Sequence, residues 1–421
     1  EGEGEGEGEG EGEGEGEGEG EGEGEGEGEP QFEKAESALE RQKDFDFTDE
    51  ELKTFAEGNT GFATDLYAQL VVDNDENVFI SPVSISIALA MAWAGAEGNT
   101  EAEMTTALGF NLPEVDQHAA FNWLDQELNS RGEGAEAADG EPFRLNVVNA
   151  IWGQQNYGFL ESFLDVIALN YGSGLNILDF MMAPEESRVT INDWVEFMTE
   201  DRIKDLIPEG VITGDTRLVL TNAVYFNAAW AYPFMEELTA DGTFTKVDGS
   251  ELTVPMMNQE FETFYADMED YQVFSMTYDG NELEMIVVLP DAGKFADVES
   301  NLSPAMLSAA YESGQWNNLA LAFPSFEFEA KYGLVPALKA LGMEDAFLGA
   351  ADFSGIDGTK DLMISDVIHK SFVKVNEKGT EAAAATAVIM ETESVPPTPV
   401  PVKVDRPFIF LIRDIKTDAI V

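Results

Sequence analysis

Cysteine is absent, and His118 and His369 are the only imidazoles, so few side chains are available for nucleophilic or general-base chemistry. No cysteine means no disulfide, no thiol nucleophile and no thiolate metal site. Two histidines far apart in sequence form no recognisable zinc motif. A Ser-His-Asp hydrolase needs its serine on a strained G-x-S-x-G turn. Asn301-Leu302-Ser303-Pro304 and Asp352-Phe353-Ser354-Gly355 both lack that glycine pair. Phosphate-cradling glycine loops are missing too. Among 83 acids, no carboxylate pair can be singled out for glycoside chemistry. These residues predict no enzyme, no cofactor and no metal.

The segment Glu377–Pro401 is of a different kind. Glu377-Lys378-Gly379-Thr380-Glu381 leads into Ala382-Ala383-Ala384-Ala385, then Thr386-Ala387-Val388-Ile389-Met390, then the proline-rich Ser394–Pro401. Four alanines suit a helix. The preceding Gly379, the β-branched residues after the run and the prolines do not. With period two, Thr380, Ala382, Ala384, Thr386, Val388 and Met390 share one uncharged face that grows from small to large. A long exposed loop between two strand-like runs, His369–Val375 and Pro407–Arg413, is usually functional. Here it reads as a latent strand whose small leading residues would clear a path between two existing strands.

The elements that must position this loop are of both kinds. Leu52–Val72, Ser81–Gly95 and Val189–Glu200 carry helical apolar spacing, the second opening on the Ser81-Pro82 start signal. Phe143–Trp152, Arg217–Phe226, Leu283–Leu289, Leu319–Phe328 and Pro407–Arg413 read as strands. Helices come early and strands late, which predicts an α+β class.

These residues carry a family resemblance. From about Phe47 to Val421 the chain resembles the serpins, inhibitory type. The Glu377–Ala385 run is similar to the inhibitory hinge, and Val402–Ile412 resembles the signature that follows the reactive loop. Asn77–Ser86, Leu220–Phe226 and Ala351–Ile356 are similar to further family blocks in the expected order. The resemblance implies a helical N-terminal region packed on three β-sheets, with a reactive-centre loop exposed in a metastable state. It implies that a serine-type protease cuts the loop, forms an acyl-enzyme ester and is carried off as the hinge inserts into the main sheet.

Site residues follow from the same resemblance. Glu377, Gly379, Thr380, Glu381, Ala382, Ala383, Ala384 and Ala385 match the hinge. Ser81, Ser84, Asn222 and His369 match the shutter, a buried polar cluster where the sheet opens, and Trp230 matches the breach at the point of entry. Asn227-Ala228 stands where many members carry Lys-Gly. The usual hinge length puts the cut at Glu393-Ser394, which implies a glutamate-preferring protease. Counting back from Pro407 lands near Pro396 instead, and a cut after Met390 would suit a subtilisin-like or chymotrypsin-like enzyme. A non-inhibitory serpin, acting as carrier, chaperone or surface protein, is the alternative; the all-small hinge argues against it.

Charge bounds the partners. The formal net charge is −61, and the fifteen acids of the opening Glu-Gly repeat explain only part of it, since the remainder holds 68 acids against 22 bases. That surface repels nucleic acid and anionic lipid. Acids spread along the whole domain, with lysine scarce, read as salt adaptation: a halophilic chain. Residues 1–30 bury nothing and read as a disordered tail; glycine at alternate positions pre-organises no calcium cage. Residues 31–46 read as an acidic linker and 47–421 as the domain. No run of eighteen apolar residues marks a membrane span and no signal peptide is visible. An extracellular or cell-surface monomer is expected, because that is where target proteases are met.

Overall fold

A computed structural model describes residues 30–72, 74, 76–135, 142–380 and 398–421. The Glu-Gly repeat up to Glu29, the hinge residues Glu381–Ala385 and the Glu393-Ser394 bond lie outside the described residues.

Six helices lead: α1 (Asp49–Leu70), α2 (Pro82–Trp93), α3 (Gly98–Ala107), α4 (Glu114–Asn129), α5 (Glu161–Tyr171) and α6 (Pro184–Met198). Helix α1 starts before the expected Leu52 because Thr48 and Glu51 form a reciprocal capping box. Ser81 caps α2, accepting from the Ser84 amide at 3.4 Å, with Pro82 in the first turn. All twelve residues of α2 are buried. Helix α6 begins five residues before the expected Val189, where Pro184 opens the first turn and Glu185 and Glu186 face the positive end of the helix dipole.

The main sheet runs β1 (Glu33–Ala35), β3 (Leu175–Leu178), β2 (Arg144–Gln154), β4 (Leu218–Ala229), β12 (Gly379–Thr380), β11 (Val367–Val375) and β10 (Phe326–Gly333). The second runs β13 (Val400–Lys403), β9 (Gln315–Pro324), β6 (Glu251–Asp267), β7 (Tyr271–Thr277), β8 (Leu283–Pro290) and β14 (Ile409–Asp414), with β5 (Ala240–Thr245) on β6. The second and third sheets implied by the resemblance are thus one hydrogen-bonded network. The 17-residue β6 is long enough to pair with β5 and β9 along most of its length and with β7 at its end.

Two expectations need correction. Leu319–Phe328 is not one strand: Pro324-Ser325 breaks it, and the chain crosses from β9 in the second sheet to β10 in the main one. Ser325 ties the two, its amide on Pro255 O at 2.9 Å and its hydroxyl on Val375 O at 3.0 Å. Residues 31–46 are not a free linker. β1 pairs with β3, Phe32 packs edge-on against Trp152, Arg41 bonds Asn122 and Asp125 of α4, and the Gln42 amide reaches Leu169 O of α5.

The main sheet is covered on both faces. Leu218, Leu220, Val224, Phe226 and Ala228 of β4 join the central core with α2 and the second sheet. Val148, Ala150 and Trp152 of β2, Ala223 of β4 and Ile368 of β11 form a separate cluster with Ile191, Trp194 and Val195 of α6. This alternation follows from the period of two along a strand.

Candidate functional site: a strand-sized seam in the main sheet

β4 and β11 run parallel and pair directly only from Leu220–Val224 against Val367–Ser371. Beyond Val224 and Ser371 they diverge. At the far end β12 sits between them, with Thr380 opposite both Ala228 of β4 and Val375 of β11. The sheet is therefore closed at one end and wedged open at the other by two residues that lead into the loop.

The wedge is held from several sides. The Trp230 amide donates to Lys378 O at 2.8 Å and its indole to Asn376 O at 3.0 Å. The Trp230 ring stacks on Tyr278 at 4.5 Å between centroids. Tyr278 Oη and Thr380 Oγ1 lie 3.0 Å apart, both buried. Glu377 accepts from Thr239 Oγ1 at 2.7 Å, and the Phe234 amide donates to Glu377 O. Gly379 is buried between β4 and β11, and its carbonyl accepts from the Asn376 amide. Thr380 thus turns its side chain to the inner face of the sheet, towards the second sheet.

At the closed end Ser81, Ser84, Asn222 and His369 come together. Asn222 Nδ2 donates to Ser84 Oγ at 2.5 Å and to Asn149 Oδ1 at 2.7 Å; Ser84 Oγ reaches the same Asn149 oxygen at 3.1 Å. With its amide so engaged, Asn222 Oδ1 is left to accept from His369 Nδ1, and His369 Nε2 accepts from the Ser81 amide at 3.2 Å. His369 is fully enclosed, and desolvation pushes its pKa down to about 3. It spans the seam, being on β11 while Asn222 is on β4.

Two cavities follow the same line. One lies where the β4–β11 ladder stops and is lined by Phe79, Ser81, Val224, Phe226, Ser371 and Ile412. The other lies at the start of the two strands, lined by Leu206, Ile207, Ile212, Leu218, Leu220 and Ile368.

Chemically, the described part of the site can bind and hold; it places no base beside a nucleophile. Buried His369 works as a tie. His118 contacts Tyr171 Oη through Nδ1 at 2.6 Å and is equally enclosed. Sequence reasoning missed Asn149, Tyr278 and Ser371, whose hydroxyl bonds Phe79 O at 2.6 Å. For Asn149 and Ser371 the only local signal was a polar residue on the inward phase of a strand otherwise apolar there. Among the described residues no group of three or more acids and histidines could hold a metal ion.

In this mixed α/β body the main sheet is parted at one end by the two residues of β12, Gly379 and Thr380. The family model described as Serpin (serine protease inhibitor) matches residues 57–421. An uncharacterized serpin-like protein of Thermococcus kodakarensis is 42% identical over 364 residues, covering 85% of this chain and 82% of that one. The leukocyte elastase inhibitor of Equus caballus is 40% identical over 374 residues, covering 86% and 96%. Among solved structures, the thermophilic serpin tengpin in its native state superposes with a TM-score of 0.78 at 28% identity, covering 91% of this chain and 95% of that one. Human thyroxine-binding globulin, in complex with thyroxine, gives 0.78 at 31%, covering 88% and 97%. The chain belongs to the serpin family.

Proposed function

We propose that this chain is an inhibitory serpin that traps a serine-type endopeptidase as a covalent complex. The protease cuts the reactive loop, with Glu393-Ser394 the preferred bond. The freed hinge then enters the seam between β4 and β11 while the acyl ester still holds the enzyme. A glutamate-preferring or a subtilisin-like protease is the target class. We place the chain outside the cell or at its surface, as a salt-adapted monomer.

The observation that carries this reading is the register of β12. Extending the pairing of Thr380 with Ala228 brings Ala382 opposite Phe226, Ala384 opposite Val224, Thr386 opposite Asn222 and Met390 opposite Leu218, the first residue of β4. The inward orientation of Thr380 gives Ala382 and Ala384 the same face, over the cavity lined by Phe226, Val224 and Ser371. Small side chains there fill space without displacing the core. About ten new ladder residues at a net ~0.5–1.5 kcal/mol each amount to on the order of 10 kcal/mol. That is enough to distort an active site built to sub-ångström tolerance.

The relatives named leukocyte elastase inhibitor support protease inhibition; the thyroxine-binding globulin likeness supports a carrier role instead. The two readings part in one experiment. Incubated at molar salt with glutamyl-specific, subtilisin-type and chymotrypsin-type proteases, the protein should give an SDS-stable adduct with at least one. Mass spectrometry of the released C-terminal peptide should find Ser394 at its start. Cleavage by all three classes without any adduct would rule out the inhibitory reading.

A further inference from the structure

The connection from α6 to β4, residues 199–217, has an unusual backbone. Glu200, Asp201 and Asp205 all have positive φ, at 51°, 62° and 50°, although none is glycine. Its apolar residues Ile203, Leu206 and Ile207 are buried against the outer face of the sheet, where they meet Ile368 of β11. Arg188 and Asn192 of α6 both donate to Ile207 O at 3.0 Å. By covalent attachment the connection belongs to α6 and β4.

Two lysines fasten it to the other side of the seam. Lys370 of β11 donates to Lys204 O at 3.0 Å, and Lys331 of β10 donates to Asp205 O at 3.0 Å. These lysines stand directly opposite each other in the β10–β11 register. Like charges so placed repel. Burial, then Lys370, draws the Lys331 pKa below its ordinary value. Glu329, 3.1 Å from Lys370, offsets part of the repulsion. In a chain with 22 bases, two adjacent ammonium groups spent on consecutive carbonyls make a specific tie.

We infer that Lys331 and Lys370 form a clamp across the β4–β11 seam that sets the rate at which a strand can enter it. This rests on the strand-insertion reading above. Adding one strand moves β11 away from β4 by about 4.8 Å. A hydrogen bond of 3.0 Å does not survive such a displacement. Either both ammonium groups release the connection, or the connection leaves α6 and travels with β11. Lys331 and Lys370 act through the connection and touch no protease, so they are positioning residues.

The test uses the whole chain at molar salt and a synthetic peptide with the sequence Thr380–Met390. Uptake is followed by native electrophoresis and by the rise in the thermal unfolding midpoint. Lys331→Met and Lys370→Met should each accelerate uptake about tenfold, a barrier change of about 1.4 kcal/mol. Lys374→Met is the control: Lys374 lies on the same strand and pairs with Glu327, 3.1 Å away. It should match the wild type. Lys370→Arg, which keeps a donor, should retain most of the wild-type rate, and it keeps the test readable if a methionine variant does not fold. Equal uptake by wild type and the methionine variants, or equal acceleration by Lys374→Met, overturns the clamp alone. A wild type that takes up no peptide overturns the insertion reading beneath it.

Discussion

His369 has one protonation state that satisfies its neighbours: a proton on Nδ1 for Asn222 and a bare Nε2 for the Ser81 amide. A second proton would point at an N–H group inside a dry cluster. His118 is also held at about 3 by burial. Both folded pKa values lie below the unfolded value near 6.5, so the unfolded chain takes up protons first as pH falls. The stability contribution is complete above about pH 7.5 and is lost on descending through 6.5 towards 3, at up to ~1.4 kcal/mol per pH unit for each histidine. Between pH 7.5 and 5.5, above the main carboxylate titration, the denaturant midpoint should therefore fall, and His369→Asn should flatten part of the slope. A midpoint unchanged over that window would sink this account. Asn149→Ala should cost ~1–3 kcal/mol, because it leaves one Asn222 amide N–H and the Ser84 hydroxyl without the oxygen they donate to; guanidinium titration at fixed salt checks it. Ser81, Ser84 and Asn222 each sit in a sequence block with its own signature, and His369 is one of only two histidines. Asn149 was not: only the pairing of β2 with β4 sets it opposite Asn222, and nothing near it in sequence marks that register.

Among the strands, β12 and β1 are the shortest and were the least legible. The period-two face of the hinge reads as a strand in the sequence, and the structure already has Gly379 and Thr380 in the sheet. Local pattern cannot reveal that, because Trp230 and Tyr278 from distant segments help hold them there. Thr380→Arg puts a guanidinium where a hydroxyl meets Tyr278, a buried site 1% exposed. The variant should still be cut in its loop but leave little SDS-stable adduct; an adduct yield equal to the wild type would count against insertion from this end. β1 was hidden for the opposite reason. Three residues among acids have no periodicity to detect, and pairing with Leu175–Ile177 alone makes them a strand. Deleting residues 1–46 exposes the Trp152 edge, removes the Arg41 bonds and should lower the unfolding midpoint by several degrees. Deleting only 1–29 should leave it nearly unchanged at molar salt. If both truncations melt like the full chain, the segment 31–46 contributes nothing to the body.

For the whole molecule the open question is which electrostatic term wins, since salt weakens attraction and repulsion alike. The attractive side is largely committed: Lys370, Lys374, Lys403, Lys416, Arg131 and Arg413 each already hold a carboxylate within 4 Å. The exposed pairs among them are worth ~0–1 kcal/mol each, whereas Arg131–Asp414 is buried. The repulsive side is a surplus of 61 negative charges. Screening should thus stabilise this chain. The Debye length falls from about 10 Å at 0.1 M to about 3 Å at 1 M, so most of the gain should arrive below roughly 1 M and then level off. Exclusion of cosolvent from the surface behaves differently, strengthening burial steadily with concentration and requiring no charge. Thermal midpoints in KCl from 0.1 to 3 M, set beside an equal-osmolality sucrose series, separate the two. A steep early rise in KCl that sucrose does not reproduce is the expected result. A midpoint that climbs in a straight line to 3 M, or one that sucrose matches, would assign the effect to exclusion and leave the surplus of acids without a part in salt adaptation.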